Sequence, residues 1–207
     1  MNIKIGVIGG GQLCRMMGEE IQRKGLPFEL TTLDPTRECP ALPYVKKHII
    51  GDFKDSKKIR ELSDASDIIT YEIELANGRV LEDLAAEGKE IHPSPETLRT
   101  VQDKYTQASF LQSNNIPVPD FREITNKKDV GDVAKSYGLP LMIKARTDSY
   151  DGRGNFLLTS LDQVDEVFSE FHGRKLMAQK YIDFEREVSV IAARSTTGEV
   201  KTYPVGE

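Results

Sequence analysis

The sequence predicts an α/β protein: a parallel, doubly wound sheet first, then a small α+β unit whose strands run antiparallel. Three observations carry this. Short apolar runs alternate with helical stretches from the N-terminus to about residue 115, the pattern of repeated βαβ units. The first run, Ile3 to Ile8, ends on Gly9-Gly10-Gly11 directly before a helical stretch, which makes a glycine-rich first turn. Beyond residue 119 the texture changes to strands joined by a single helix or by turns.

Taken in order, Gln12 opens a helix that reaches about Lys24, with Gly25 as its C′ residue. Phe28 to Leu33 is the second strand, ended by Asp34-Pro35, and Cys39 to Val45, with two prolines, is loop. A helix spans Ser56 to Leu62. The buried strand Asp67 to Thr70 delivers Tyr71-Glu72-Ile73-Glu74. A helix over Gly78 to Ala86 and a short strand at Ile91-His92 follow. Ser94-Pro95-Glu96-Thr97 starts the next helix, with Ser as N-cap, Pro at the first helical position and Glu in the first turn. Another helix begins near Asp103, carries Lys104, Phe110 and Leu111, and stops at Asn114-Asn115 before Pro117 and Pro119.

Phe121 to Thr125 is a strand, and Asn126 caps a helix with Val130, Val133, Ala134 and Tyr137 on one face. Gly138-Leu139-Pro140 stops it, and the apolar run ending at Ile143 delivers Lys144. The polar, glycine-punctuated stretch Lys144 to Asn155 is too long and too charged for a hairpin turn, so it reads as a functional lid before the strand Phe156 to Leu158. Ser160 and Gln163 form a capping box, and Leu161, Val164, Phe168 and Phe171 line the helix it opens. Leu176 to Ile182 and Glu187 to Ala193 are strands joined by Asp183 to Arg186, and Thr197-Gly198-Glu199 turns the chain into Val200 to Val205. The division expected is a sheet domain over 1–126, a small α+β unit over 127–187, and the start of a third unit over 188–207.

The 207 residues are 38% hydrophobic and 29% charged, an ordinary globular balance. A net charge of -5 and a pI near 5.4 argue against non-specific nucleic-acid binding, which needs a basic face. No apolar run approaches the roughly 18 residues of a membrane span. The N-terminus runs straight into a strand, so no signal peptide is expected. Cys14 and Cys39, with His48, His92 and His172, make no metal-ligand spacing, and a reduced, cytoplasmic protein is the expectation.

Three motifs carry chemistry. The Gly9-Gly10-Gly11 turn lets a ligand approach the backbone at a helix N-terminus, and Asp34 stands where a dinucleotide fold places its ribose acid. The match to G-x-G-x-x-G is partial, since Cys14 takes the third glycine position. Substrate or phosphate binding, a nicotinamide site and a plain tight turn all stay open. Glu72 and Glu74 lie at the carboxyl end of a strand, where open α/β sheets bind ligands. Strand alternation sets both on one side, against a solvated surface pair as the bland alternative. Lys104, Lys144 and the stretch Gln179-Lys180-Tyr181-Ile182 with Glu187 suit a polyphosphate, a purine and a ribose, although each lysine alone is more often a solvated charge.

Together these residues resemble the ATP-grasp superfamily, and within it the 5-(carboxyamino)imidazole ribonucleotide synthetase family, the ATPase subunits of phosphoribosylaminoimidazole carboxylase. The resemblance rests on Gly9 to Met16, Thr70 to Glu74, Gln102 to Gln107 leading to Ile116-Pro117-Val118-Pro119, and Lys144 to Gly154, with Phe184 to Ser189 and Tyr203-Pro204. It implies an ATP-grasp fold: a Rossmann-like domain, a small ATP-grasp lid subdomain and the beginning of the larger ATP-grasp domain. It also implies a ligase that uses ATP to activate bicarbonate as carboxyphosphate and carboxylates 5-aminoimidazole ribonucleotide in purine synthesis. By motif position, Lys104, Lys144, Ser149, Gly152, Gly154, Asn155, Gln179, Lys180, Tyr181, Ile182 and Glu187 would bind ATP. Tyr150, Asp151 and Arg153 would meet bicarbonate and the ribonucleotide as catalytic residues, and Gly10, Gly11, Gln12, Leu13 and Glu72 would bind the ribonucleotide.

The family implies Mg2+, with ligands expected after Glu207, no metal ligand within the chain, and a homodimer. The sequence therefore reads as an N-terminal fragment, expected to be inactive alone and to have a mobile lid without ligands. The alternatives are a glycinamide ribonucleotide transformylase of the same superfamily, a nicotinamide oxidoreductase, and a non-catalytic nucleotide-binding module.

Overall fold

The computed structural model describes residues 2–148 and 154–207. Its first half is built on a five-stranded parallel sheet: β1 (Ile3–Ile8), β2 (Phe28–Asp34), β3 (Lys47–Ile50), β4 (Ile68–Tyr71) and β5 (Glu90–Ile91), in spatial order β3-β2-β1-β4-β5. Strand order reverses beside β1, and such a reversal opens a crevice at the carboxyl ends of the strands. The helices are α1 (Gln12–Lys24), α2 (Ser56–Asp64), α3 (Gly78–Ala86), α4 (Pro95–Gln102) and α5 (Lys104–Ser113).

Alternation along β1 divides the core. Ile8 joins Leu33, Ile59, Leu62, Leu81 and Leu98 under α2, α3 and α4, while Val7 joins Cys14, Leu30 and Ala41 under α1. The sheet is thus covered on both faces, as expected of a doubly wound fold. The strand β3 and the 3-10 turn at Leu42–Tyr44 were not legible in the sequence. Strand β3 has four residues of which Ile49 alone is buried, too short to show alternation.

The second half is a four-stranded antiparallel sheet of β6 (Phe121–Ile124), β7 (Leu141–Ala145), β8 (Asn155–Leu158) and β9 (Leu176–Lys180), ordered β6-β9-β7-β8. Helices α6 (Lys127–Tyr137) and α7 (Val164–Glu170) cover one face, where Leu141, Ile143, Ala145, Leu158, Val133 and Val167 are fully buried. Both capping boxes form, Asn126 with Asp129 and Ser160 with Gln163, the latter closing a 3-10 turn ahead of α7. Leu161, expected to line α7, is 47% exposed, because that 3-10 turn carries it off the helix face.

Two expected strands end differently. The strand from Leu176 stops at Lys180 rather than Ile182, and of the strand expected over Glu187 to Ala193 only Ala192 and Ala193 are in a strand. Instead Ser189 bridges Gly206, and a short hairpin joins β10 (Ala192–Arg194) to β11 (Val200–Thr202). Residues 182–207 are exposed throughout, so this ribbon has no core face to hold long strands in register.

Candidate functional site

The glycine turn is already filled by the chain's own carboxylates. Helix α1 has no acid in its first turn. Its free amides are served from outside: Glu72, just past β4, accepts from the Gly11 N–H through Oε1 and from the Cys14 N–H through Oε2 at 2.7 Å. Asp34, buried at the end of β2, accepts from the Gly10 N–H at 2.9 Å and the Thr36 N–H at 2.7 Å. The glycines are sterically required here. A Cβ on Gly11 would lie 2.6 Å from Glu72 Oε1, and one on Gly10 would lie 2.7 Å from Cys39 Sγ. Asp34 is therefore turned inward to the turn and is not a free ribose acid, which removes the main support for a nicotinamide site. Cys14 faces the core, fully buried, and burial before all else pushes its thiol up to about 12. Gln12 and Leu13 are exposed beside the turn.

Glu74 departs from the expected arrangement. The strand ends at Tyr71, so alternation no longer governs the residues after it. Glu72 turns to the amides of Gly11 and Cys14, Ile73 packs on the main core, and Glu74 lines a separate cleft with the Lys104 ammonium close enough to feel its charge.

That cleft, about 1070 Å³, lies between the two halves of the chain, with Phe53, Ile73, Gln102, Lys104, Arg146 and Asp148 among its walls. It adjoins a slot of about 210 Å³ between α5 and the second face of the antiparallel sheet. Alternation builds the slot: Lys144 pairs across the ladder with Met177, and Met142 with Gln179, opposite to the core residues Leu141 and Ile143. Ala108, Leu111, Val118 and Met177 make it apolar, and Gln107, Gln179, Lys104 and Lys144 give it polar ends.

The two lysines set its electrostatics. Lys104 begins α5 and Lys144 lies near the end of β7, both half-buried. Burial lowers the Lys144 pKa, and the Lys104 charge lowers it further. Lys104 is lowered by burial and by Arg174, against a rise from Glu74. Among the described residues neither ammonium has an ion-pair partner. Two like charges close enough to interact and half-desolvated, with Glu74 near Lys104 but no ion pair to either ammonium among the described residues, make a locally basic site of the kind that suits an anion.

Beside them is an ion-pair clamp that the sequence left without a role. Arg146, two residues past Lys144, places Nη2 2.5 Å from Asp103 Oδ2 and Nε 3.0 Å from Asp103 Oδ1, and also bonds Glu123 through Nη1. Its guanidinium lies 4.9 Å from the centre of the Tyr105 ring. Asp103 is at the same time the N-cap of α5, accepting from the amides of Tyr105 and Thr106. An acid followed by a helix start was legible; its pairing with an arginine 43 residues on was not.

Of the remaining expected site residues, Gln179 and Lys180 end β9, and Tyr181, Ile182 and Glu187 follow it. Strand β9 is internal, paired on both sides, and the Lys180 N–H donates to the Asp120 carbonyl, so free backbone groups begin at Tyr181. Glu187 is exposed in the ribbon. Gly154, at φ +86°, closes the long loop by accepting from the Ala145 N–H at 2.8 Å, and Asn155 pairs with Lys144. Ser149, Tyr150, Asp151, Gly152 and Arg153, and the expectation about lid mobility, lie outside the described residues.

Residues 1–102 match the ribonucleotide synthetase preATP-grasp domain, and residues 109–207 match the ATP-grasp domain. The chain is 36% identical to the phosphoribosylaminoimidazole carboxylase of Ogataea methanolica, over 98% of its own length and 38% of that protein. It superposes with a TM-score of 0.91 and 28% identity on N5-carboxyaminoimidazole synthetase from Staphylococcus aureus complexed with ADP, covering 99% of this chain and 55% of that one. The corresponding values for N5-carboxyaminoimidazole synthase from Aspergillus clavatus, in complex with ADP and 5-aminoimidazole ribonucleotide, are 0.88 and 34%, over 99% of this chain and 53% of that one. The chain spans about half the length of these solved relatives; over that half it carries a ribonucleotide synthetase preATP-grasp domain followed by an ATP-grasp domain and is similar in sequence, fold and domain order to N5-carboxyaminoimidazole ribonucleotide synthetases.

Proposed function

We propose that this chain forms the nucleotide-binding half of an ATP-dependent ligase that carboxylates 5-aminoimidazole ribonucleotide with bicarbonate. The observation that carries the reading is the Lys104–Lys144 couple, without an ion-pair partner among the described residues, at the edge of an apolar slot. A triphosphate supplies the missing negative charge, and the slot takes the purine against Ala108, Leu111 and Met177. Gln179 with the free backbone groups of Tyr181 and Ile182 meets the purine edge, with Lys180 beside them, and Glu187 takes the ribose hydroxyls. Ser149, Gly152, Gly154 and Asn155 cover the phosphates.

In this reading ATP passes its γ-phosphoryl group to bicarbonate, giving carboxyphosphate and ADP. The amine of the ribonucleotide then attacks the carboxyl carbon and phosphate leaves. Tyr150, Asp151 and Arg153 meet the bicarbonate and the ribonucleotide, while Gln12 and Leu13, at the rim of the turn fixed by Gly10, Gly11 and Glu72, contact the ribonucleotide. The solved relatives support the assignment, one with ADP and one with ADP and 5-aminoimidazole ribonucleotide. Mg2+ would neutralise triphosphate charge when bound, and the described residues hold no cluster of three or more ligating side chains for it. The division into units at 1–126, 127–187 and 188–207, a homodimeric assembly and a cytoplasmic location belong to the same proposal. No helix among the described residues is long and apolar enough to cross a membrane.

The test is phosphate release by the protein that carries this chain, supplied with ATP and 5-aminoimidazole ribonucleotide. Release that depends on bicarbonate is expected. Release driven instead by formate with glycinamide ribonucleotide would move the chain to the transformylase reading.

A further inference from the structure

We propose that the Arg146–Asp103 ion pair is a positioning device that sets the Lys104–Lys144 couple for the triphosphate. The inference rests on the nucleotide reading above and adds a residue pair to it. Four observations meet here. Arg146 lies one residue past β7 and two past Lys144, and its side chain reaches Asp103 at the start of α5. Asp103 and Lys104 are adjacent at the start of α5. The Lys104 N–H donates to the Arg146 carbonyl at 2.9 Å, so the clamp joins the two segments through main chain as well as side chain. Finally, the Arg146 side chain is only 11% exposed and its fork engages Asp103 through two nitrogens, a rigid geometry that a point charge does not reproduce.

The clamp opposes a repulsion. Lys104 and Lys144 disfavour one another's charge, and without a tie between α5 and β7 the ammonium groups would relax apart. An anion would then have to draw them together again at the expense of its own binding free energy. With the tie in place that cost is met during folding, and the site is preorganised for a polyanion. The pair also ties the junction between the two matched domains, where Asp103 lies, to the ATP-grasp domain that carries Arg146.

Asp103→Asn separates positioning from bulk electrostatics, because the two predict opposite signs. Asn is as good an N-cap as Asp, so α5 keeps its start, but the fork loses its charged partner. Removing a negative charge beside an anion site would by itself tighten ATP binding; loss of positioning weakens it. Calorimetric titration of the protein that carries this chain, with ATP and with adenosine, is the experiment. The expected result is roughly tenfold weaker ATP binding with adenosine affinity unchanged, and a similar loss in Arg146→Lys, which keeps the charge but not the fork. ATP affinity equal to or above the parent in Asp103→Asn overturns the inference and leaves the nucleotide reading intact. Equal losses for ATP and adenosine overturn it too, by marking the pair as a general fold element. Absence of ATP binding in the unsubstituted chain overturns the nucleotide reading and this inference with it.

Discussion

Lys144, proposed above to meet the triphosphate, works against the fold that carries it. Burial and the Lys104 charge hold its pKa below the ordinary 10.5. A lysine whose folded pKa is depressed binds fewer protons in the native than in the unfolded state between the depressed value and 10.5. Stability therefore rises with pH through that window, and below it the chain carries the full penalty of the charged form. Lys144→Met should flatten this rise and stabilise the ligand-free protein at neutral pH by about 1 kcal/mol while removing ATP affinity, a trade between stability and function. Chemical denaturation at several pH values measures it; a variant less stable than the parent at neutral pH would show that the lysine is not under strain. Asp103 has the opposite balance. Burial raises its pKa, but the Arg146 guanidinium and the amides of Thr106 and Tyr105 outweigh that and leave it below its usual value.

Among the elements, helix α1 depends on Glu72, 58 positions beyond Cys14 in its first turn. Glu72 caps the helix through Gly11 and Cys14, in place of the acidic first turn the helix lacks. Glu72→Ala should cost about 1–2 kcal/mol, the scale of a lost N-cap, read as a lower urea midpoint with unchanged slope. An unchanged midpoint would mean the amides find water at no loss. Local signals of this kind were legible wherever they were contiguous in sequence. Ser94-Pro95, the Asn126 and Ser160 caps, Gly25 at φ +60° and the helix over Gly78–Ala86 all stand where the sequence put them. The misses are of another kind. Whether Glu72 and Glu74 share a side depends on where β4 ends, and whether Lys180 has a free amide depends on which strand lies beside it. Both are settled by tertiary pairing, which composition and spacing do not encode. The Arg146–Asp103 clamp was hidden for the same reason.

At the scale of the molecule, the order of units was legible because helix and strand periods differ and the change near residue 119 is abrupt. Burial is uneven across that order. Two cores enclose the parallel and antiparallel sheets, while residues 182–207 bury almost nothing and hold few backbone bonds outside one short hairpin. Hydrogen exchange should find amides 183–188 close to unprotected, with β1, β7 and β9 exchanging slowest. Protection in 183–188 equal to that of the β sheets would contradict this distribution of stability.

The central claim is that the half-buried lysine couple between α5 and β7 is a nucleotide polyphosphate site. Titrating the chain with ATP, with adenosine and with NADH, in the parent and in Lys144→Met, tests it most directly. The account predicts saturable ATP binding much tighter than adenosine or NADH, with the preference for ATP over adenosine lost in the variant. ATP binding no tighter than adenosine, or a preference that survives loss of Lys144, would contradict it.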